Sequence, residues 1–196
     1  MRLTPDIDKI TLRDEMRLRR LGLSGRIRTR FDQKIQRHLL KLVKSRHARS
    51  IACYWPFNGE PDIIPVCQQL MSDGHRLALP VVSGKNDHRM QFHPWQAETT
   101  LAKNRYGILE PQGSICVELT DFDMLLMPLV AYDRLGNRLG MCSGYYDRHL
   151  ESLRDSKTPL RVGIAYSAQE IEPMDKNIWD ISLHGVVNEH GWFTFV

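Results

Sequence analysis

Residues 122–147, FDMLLMPLVAYDRLGNRLGMCSGYYD, carry the strongest indication of how the chain folds. Its first part, Phe122–Ala131, is the most apolar segment of the chain and predicts a buried central strand. Its second part is a glycine-rich loop, which leads into a helix predicted from about Tyr145 to Leu153. Because ligands of open α/β sheets bind at the carboxyl ends of the strands, this loop is where we expect a site.

Strands and helices alternate on both sides of this central stretch. A helix is predicted from Pro61 to Met71 and is closed by Gly74. Apolar runs predict the other strands, at residues 51–57, 76–82, 90–95 and 161–166. Such alternation is typical of a mainly parallel sheet that is covered on both faces. We therefore predict an α/β fold, a single three-layer domain over residues 1–196 with a mainly parallel central sheet flanked by helices.

Two basic helices are predicted ahead of the first strand, over residues 1–47, and are expected to pack on the sheet. Thr4 and Pro5 suit the start of the first helix, which should end near Gly22. Ser24 suits the N-cap of the second helix. The core face of this helix is predicted from apolar residues that recur every four positions, namely Ile27, Phe31, Ile35 and Leu39.

Charge is divided unevenly along the chain. Residues 1–50 hold 15 of the 27 lysines and arginines but only 5 of the 23 acidic residues. Spacings of four, four and three place a stripe of cations on one face of the first helix: Lys9, Arg13, Arg17 and Arg20. Such a stripe is most often a solvated surface, whereas this concentration of charge also suits an anion, either a nucleic acid or a polyphosphate ligand.

The length and composition exclude several classes of protein. With 196 residues, 42% of them hydrophobic and 26% charged, the chain is neither disordered nor fibrous. No run approaches about 18 apolar residues, so no membrane span is expected, and the first residues lack the apolar run of a signal peptide. The four cysteines form no CxxC pair and are expected to be reduced thiols, as in a cytoplasmic protein.

The glycine-rich loop has the chemical properties of a phosphate site. A turn from a strand into a helix presents backbone N–H groups to an anion, and Arg138 adds a charged donor. Asp147, in the first turn of the predicted helix, can hold a divalent cation that bridges phosphate oxygens. The loop is not a Walker sequence, because no Gly-Lys-Ser/Thr follows. From the pattern alone, a purely structural turn is an equal alternative.

Several motifs, in order along the chain, resemble one enzyme family. The stretch PLVAYDRLGNRLGMCSGYYDRHL (residues 128–150) resembles the signature of the 5-formyltetrahydrofolate cyclo-ligases, also called methenyltetrahydrofolate synthetases. The N-terminal motif of this family resembles Lys9-x-x-Leu12-Arg13. Further similar segments are YWPFNGEPDIIPV (54–66), RYGILEP (105–111), VGIAYSAQEI (162–171) and WDISLHGVV (179–187). The similarity is collinear over nearly the whole chain.

The resemblance implies an ATP-dependent ring closure with Mg²⁺ as cofactor. In this family ATP phosphorylates the formyl oxygen of 5-formyltetrahydrofolate, N10 attacks the activated carbon, and phosphate leaves as 5,10-methenyltetrahydrofolate forms. The expected ligands are therefore two small molecules, the folate and ATP, and we expect a monomer without a nucleic-acid or membrane partner. The chemistry fits the residues, because it requires positioning and neutralised phosphate charge rather than a covalent nucleophile.

The resemblance also implies roles for individual residues. Its ATP-binding positions correspond to Lys9, Arg13, Arg138, Leu139, Gly140, Met141, Cys142, Ser143, Gly144, Tyr145 and Tyr146. Its folate-binding positions correspond to Trp55, Glu60, Tyr106 and Tyr145, and its Mg²⁺ carboxylates to Asp147 and Asp180. The basic stripe beyond Arg13 suits phosphate, a polyglutamate tail of the folate or solubility alone, and a polyglutamate role for Arg17 or Arg20 is a further hypothesis. Taken singly, these residues also suit core, turn or surface positions, and only their joint order favours the site.

One departure from the family motif leads to a second hypothesis. Cys142 stands where the family usually has Gly, and Ser143 stands where Gly or Lys is common. If residue 142 needs a positive φ, its Cβ costs on the order of 1 kcal/mol. The alternative is a protein of the same fold that has lost catalysis and binds folate or nucleotide as a regulator. Nucleic-acid binding is a third hypothesis, disfavoured because Phe31 is the only aromatic residue among residues 1–50.

Overall fold

The helices and strands are taken from a computed structural model, which describes residues 5–82, 90–113, 115–141, 144–175 and 177–195, with side chains from Lys9 onward. Eleven strands occur in these residues: β1 (Ser50–Ala52), β2 (Arg76–Val82), β3 (Met90–Trp95), β4 (Leu101–Lys103), β5 (Leu109–Pro111), β6 (Met124–Pro128), β7 (Ala131–Tyr132), β8 (Arg138–Leu139), β9 (Leu160–Ile164), β10 (Gly185–Asn188) and β11 (Gly191–Thr194). The α-helices in the same residues are α1 (Pro5–Gly22), α2 (Gly25–Ser45), α3 (Ile64–Ser72) and α4 (Tyr145–His149).

Seven of the strands form one central sheet, with the order β11-β10-β9-β6-β1-β2-β3. The inner strands, from β10 to β2, run parallel, while β11 and β3 pair antiparallel at the two edges. In the centre, Ile51 of β1 pairs with Leu77 of β2 on one side and with Met124 of β6 on the other. The prediction of an α/β fold with a mainly parallel sheet is confirmed.

The sheet is covered on both faces, as buried parallel strands require. One face packs against α2 and α3, which bury Leu39 and Leu70. The other face packs against the segment around α4, with Leu150 and Phe122 buried. All residues of β6 except Pro128 are buried, because this strand lies between the two layers. The resulting three layers are the predicted architecture.

The two N-terminal helices follow the predicted boundaries, but the core face of α2 differs from the prediction. α1 begins at Pro5 and ends at Gly22, and the proposed cap Thr4 lies outside the described residues. The buried residues of α2 all lie from Asp32 onward. Ile27 is 59% exposed, whereas Phe31, one turn later, is partly buried against the core. The prediction that Ile27 belongs to the core is therefore wrong.

The first strand is shorter than the predicted strand over residues 51–57. β1 ends at Ala52, and the chain then turns back through Asn58 (φ 48°) and Gly59 (φ 85°). Both residues have left-handed backbone conformations, which Gly and Asn adopt most readily. The predicted Asn-Gly turn is confirmed, and it follows an irregular apolar segment rather than a strand.

The helix after this turn begins three residues later than predicted. α3 begins at Ile64 rather than at Pro61. The Asp62 carboxylate accepts the Ile64 N–H (2.9 Å), and Pro65 occupies the first turn, where its missing N–H costs nothing. The sequence contains both signals, but the earlier proline also suits a helix start.

The central strand ends at Pro128 rather than at Ala131, because the residues after it pair in a separate hairpin of β7 and β8. Asp133 is fully buried and shapes the turn of this hairpin. Its carboxylate accepts the N–H groups of Leu135 and Asn137, both at 2.9 Å. Part of the loop predicted from the glycines is therefore a hydrogen-bonded hairpin turn around a buried carboxylate.

The remaining differences concern short elements. The helix predicted from about Tyr145 to Leu153 is divided into α4 and a 3₁₀ turn at Glu151–Leu153. The last predicted strand, residues 161–166, occurs one to two residues earlier as β9. The β4–β5 and β10–β11 hairpins are absent from the predicted elements, because strands of three or four residues carry little periodicity.

Two further expectations concern the cysteines and membrane spans. Cys53 and Cys67 are buried free thiols with their Sγ atoms 3.6 Å apart, and Cys116 is an exposed free thiol. The fourth cysteine, Cys142, lies outside the described residues. In the part of the chain that the structure describes, no helix is both long enough and apolar enough to cross a membrane.

Candidate active site

α1 lies across the carboxyl ends of the central strands. Its Arg20 donates hydrogen bonds to Leu129 O (3.1 Å), directly after β6, and to Asn58 O (2.9 Å), in the turn after β1. Farther towards its N-terminus, Arg13 Nε donates to Gly140 O (3.0 Å), directly after β8. α1 therefore lies at the edge of the sheet where parallel strands place ligand sites.

A cleft of about 580 Å³ opens between the first half of α1 and the glycine-containing loop. It is bordered further on by the segment around Trp179. The predicted site residues that line it are Lys9, Arg13, Arg138, Leu139, Gly140, Gly144, Asp147 and Asp180. The fold thus brings cations of the N-terminal helix, the loop after the central strand and an acidic residue near the C-terminus into one cleft.

Met141 lies beside the lining of this cleft and is held by α1. Arg17 Nη2 is 3.4 Å from Met141 O, next to the Arg13 bond to Gly140 O. Two arginines of α1 thus fix two successive carbonyl groups of the loop. The next two predicted ATP-binding residues, Cys142 and Ser143, lie outside the described residues.

Arg138 and Asp147, both predicted to bind ligands, form an ion pair with each other. The Nη1 and Nη2 atoms of Arg138 lie 2.9 and 2.8 Å from Asp147 Oδ1, and the arginine side chain is 5% exposed. Asp147 Oδ1 also accepts the Ile181 N–H (3.0 Å), and Arg138 donates to Ile181 O (2.8 Å). Arg138 therefore has partners within the protein, where the sequence predicted a donor aimed at phosphate.

Asp147 and Asp180 line the same cleft and are candidate ligands for a divalent cation. Asp180 Oδ2 accepts the Asn177 N–H (2.9 Å), and Asp147 uses Oδ1 for the bonds described above. Within the described ranges, no cluster of three or more His, Cys, Asp or Glu could hold a metal ion. Mg²⁺ is commonly bound by one or two carboxylates together with water and phosphate oxygens, so these two residues fit it beside a nucleotide.

Glu60 is buried in the turn that follows β1. Its Oε2 accepts the Phe57 N–H (3.0 Å), and its Oε1 lies 3.9 Å from Arg20 Nη1. Burial raises the pKa of Glu60 to about 7, while the charge of Arg20 and the Phe57 N–H oppose this rise. The carboxyl group therefore changes its charge near neutral pH, as groups at functional sites often do.

Tyr146 is close to both Glu60 and the Arg138 ion pair. Burial raises the pKa of Tyr146, the nearby charge of Glu60 raises it further, and the charge of Arg138 lowers it. The phenol oxygen is buried and has no hydrogen-bond partner among the described residues. Leaving a buried hydroxyl unpaired costs about 1–3 kcal/mol, so this atom marks a place where a ligand or a water is expected.

Tyr106 and Tyr145, both predicted at the folate site, come together in space. Their hydroxyl oxygens are 3.4 Å apart, and Arg105 Nη2 lies 2.9 Å from Tyr106 Oη and 2.5 Å from Tyr145 Oη. The guanidinium also lies over the Tyr106 ring, 4.8 Å from its centroid. No pattern in the sequence predicts a site role for Arg105, although its position directly before Tyr106 is a signal for it.

Trp55 lies apart from the residues of the cleft. Its ring packs edge to face against Trp95, with centroids 5.8 Å apart and an angle of 65°. Both rings line a second cavity of about 930 Å³ beside α3 and β3. The structure thus places Trp55 partly in the apolar core, the alternative that the sequence also allows.

Comparisons with known proteins identify the family. A model of the 5-formyltetrahydrofolate cyclo-ligase family matches residues 6–189. The 5-formyltetrahydrofolate cyclo-ligase of Haemophilus influenzae is 33% identical over 178 residues, which cover 90% of this chain and 95% of the relative. The cyclo-ligase of Escherichia coli is 33% identical over 174 residues, with coverages of 88% and 95%.

Solved structures of similar proteins have the same fold. The NMR structure of a 5,10-methenyltetrahydrofolate synthetase from Aquifex aeolicus superposes with a TM-score of 0.82 at 31% identity, covering 95% of this chain and 92% of that one. The synthetase of Mycoplasma pneumoniae gives a TM-score of 0.75 at 27% identity, covering 93% and 99%. The matched residues include both sides of the cleft. This chain therefore belongs to the 5-formyltetrahydrofolate cyclo-ligase family, a family of ligases.

Proposed function

We propose that the protein catalyses the ATP- and Mg²⁺-dependent conversion of 5-formyltetrahydrofolate to 5,10-methenyltetrahydrofolate, with ADP and phosphate as the other products. The names of its relatives support the reaction. The observation that carries the proposal is the cleft of about 580 Å³, in which the cations Lys9 and Arg13 share one space with the carboxylates Asp147 and Asp180. This combination suits a polyphosphate and its divalent cation.

The ATP phosphates are assigned to this cleft. Lys9 and Arg13 are one helical turn apart, so both side chains reach the same polyphosphate. Gly144 has a left-handed backbone (φ 59°), which a residue with a Cβ adopts only with strain. Asp147 and Asp180 would hold Mg²⁺, which when bound neutralises phosphate charge and orients the terminal phosphate.

The folate is assigned to the neighbouring residues around Glu60. Once ionised, the Glu60 carboxylate accepts hydrogen bonds from N–H groups of the pterin ring. Tyr106 and Tyr145 offer an aromatic surface for the aminobenzoyl ring, and the Tyr146 hydroxyl offers an unused donor and acceptor. Trp55, on the segment that leads to Glu60, remains a proposed folate contact, although it lines the second cavity rather than the cleft.

The reaction needs two bond exchanges. In the first, the formyl oxygen attacks the γ-phosphorus, an O–P bond forms, and the bond to the ADP oxygen breaks. In the second, N10 attacks the formyl carbon and loses its proton, an N–C bond forms, and the C–O bond to phosphate breaks. Lys9 and Arg13 stabilise charge on the transferred phosphoryl group. Glu60 and the tyrosines hold the folate rings, which places the formyl oxygen within reach of the γ-phosphorus.

An absorbance assay tests the proposal. Purified protein is mixed with 5-formyltetrahydrofolate, Mg²⁺ and ATP, and the methenyl product is followed in the near ultraviolet, with a sample without ATP as control. We expect product only in the presence of ATP, with one ADP formed for each methenyl group. A folded protein that binds folate and forms no product would contradict the proposal and favour the regulator with the altered Cys142-Ser143 loop.

A further inference from the structure

Arg20 is fully buried, although its spacing from Arg13 and Arg17 predicts a place on the solvated face of α1. The helix explains the difference, because Arg20 lies one turn after Met16, which is 1% exposed. Met16 packs in a small core cluster with Val130, so this side of α1 faces the protein. Arg20 therefore has no exposed surface for a polyglutamate tail, so that hypothesis is wrong for Arg20 and stays a prediction for Arg17.

The guanidinium of Arg20 joins the ends of two neighbouring strands. Nη1 donates to Leu129 O (3.1 Å), after β6, and lies 3.9 Å from Glu60 Oε1. Nη2 donates to Asn58 O (2.9 Å), in the turn that carries Glu60. Of the cations in the described ranges, Arg20 is the one within 4.0 Å of the Glu60 carboxylate. The planar fork of an arginine suits such a set of acceptors, and a lysine does not reproduce it.

We propose that Arg20 is a positioning residue, which holds the Glu60 carboxylate in a fixed place relative to Lys9 and Arg13 on the same helix. Arg13 and Arg20 are about two turns apart, roughly 10 Å along the axis of α1. The first half of α1 thus lines the cleft that we assign to the ATP phosphates. The second half contacts the turn that carries Glu60. The inference rests on the proposed function, in which the groups bound at these two places react with each other.

The charged and titratable groups around Glu60 come from four elements. They are Arg20 of α1, Arg28 of α2, Tyr54 after β1 and Tyr146 of α4. Arg28 donates to the Glu60 carbonyl oxygen (3.2 Å), so it fixes the backbone of the turn. Arg20 is the cation that opposes the rise in the pKa of Glu60 on burial. Removing Arg20 should therefore make the carboxyl group harder to ionise.

The test compares Arg20→Met with the wild type, once the wild type has shown ATP-dependent product formation. The pH dependence of kcat/KM for 5-formyltetrahydrofolate reports ionisations of the free enzyme. In Arg20→Met we expect kcat/KM to rise at a higher pH than in the wild type, by about one pH unit or more. The folate KM at neutral pH should increase about tenfold, while the ATP KM changes much less.

Two further variants separate positioning from stability. Leu42→Ala, a buried residue near the end of α2, should lower the free energy of unfolding and leave the pH dependence in place. Arg20→Lys keeps the charge but loses the fork, so the folate KM should rise without the shift in pH.

The outcomes are distinguishable. If Arg20→Met keeps the pH dependence and the folate KM of the wild type, the inference is overturned. If Arg20→Met does not fold, a folate KM in Arg20→Lys equal to that of the wild type overturns it. An inactive wild-type protein would instead contradict the proposed function.

Discussion

The Glu60 carboxyl group is buried where its neutral form is favoured. Its pKa is about 7 in the folded protein, above the ordinary value of 4.5, because burial outweighs the charge of Arg20. Between pH 4.5 and about pH 7, the Glu60 carboxyl group is therefore protonated to a larger fraction in the folded protein than in the unfolded chain. It follows that the contribution of Glu60 to stability is largest below pH 4.5 and is lost as the pH rises to about 7.

The loss of stability with rising pH should be absent in Glu60→Gln, because an amide does not titrate. Relative to the wild type, the variant should gain about 2–3 kcal/mol of unfolding free energy between about pH 4.5 and pH 8. Urea unfolding at the two pH values measures the difference, whatever constant offset the amide introduces. Glu98→Gln, at an exposed position, is the control and should show no such gain. A difference between Glu60→Gln and wild type that is the same at both pH values would contradict the burial argument.

Arg105 contacts both tyrosines of the proposed folate site. Truncation to Ala removes the cation above the Tyr106 ring and the donor that both tyrosine hydroxyls share. The folate KM should rise about five- to tenfold, with little change in the ATP KM. Arg134→Ala is a matched control, because Arg134 is also exposed and pairs with Glu170 away from the tyrosines. Steady-state kinetics with each substrate varied in turn decides, and equal effects of both variants would exclude a folate role.

The two sides of α1 differ in their surroundings, so variants on the two sides should have different effects on ATP binding. Arg13 lines the cleft, whereas Arg19 is exposed and pairs with Glu15 (2.6 Å). Hydrogen bonds to charged groups contribute about 1.5–3 kcal/mol, so Arg13→Ala should raise the ATP KM about tenfold or more. Arg19→Ala should leave it unchanged, because exposed ion pairs contribute little. Similar ATP KM values for the two variants would remove the phosphates from this face of the helix.

The elements also show which parts of the fold the sequence predicts. The positions of β2 and α2 can be predicted from the sequence, because each has seven or more residues with a clear apolar pattern. β10 and β11 have four residues each, and their pairing depends on a turn at residues 189–190 rather than on periodicity. The prediction that Ile27 is buried is wrong for another reason. The spacing identifies an apolar face of the helix, but it does not show which turns of that face the protein covers.

The same limit applies to the candidate site. The order of motifs singles out Lys9, Arg13, Asp147 and Asp180, and the fold brings them into one cleft. The partner of Arg138, however, is decided by tertiary contacts with α4 and Ile181. Arg20 is similar, because a cation at helical spacing is predicted to face solvent unless the surrounding acceptors are known. Nothing in a one-dimensional pattern reports the carbonyl groups that surround it.

In the molecule as a whole, the cleft is lined by the first helix, by the glycine-containing loop and by the segment around Trp179. A ligand that contacts Lys9 on one side and Asp180 on the other therefore links distant parts of the chain. It stabilises the folded state by mass action, about 2.7 kcal/mol at a ligand concentration of 100 times Kd. For a chain of this size, that free energy corresponds to a rise in Tm of about 5–10 °C.

The rise in Tm should depend on the divalent cation, because Mg²⁺ screens the repulsion between the ATP phosphates and the two carboxylates of the cleft. We expect ATP with Mg²⁺ to raise Tm more than ATP with EDTA does. In Asp180→Asn the two values should converge, since one of the two candidate ligands is lost and the repulsion is weaker. Asp73→Asn, at an exposed position in the turn after α3, should behave as the wild type. If ATP raises Tm equally with Mg²⁺ and with EDTA in the wild type, the carboxylates do not hold a cation, and their place in the cleft is structural.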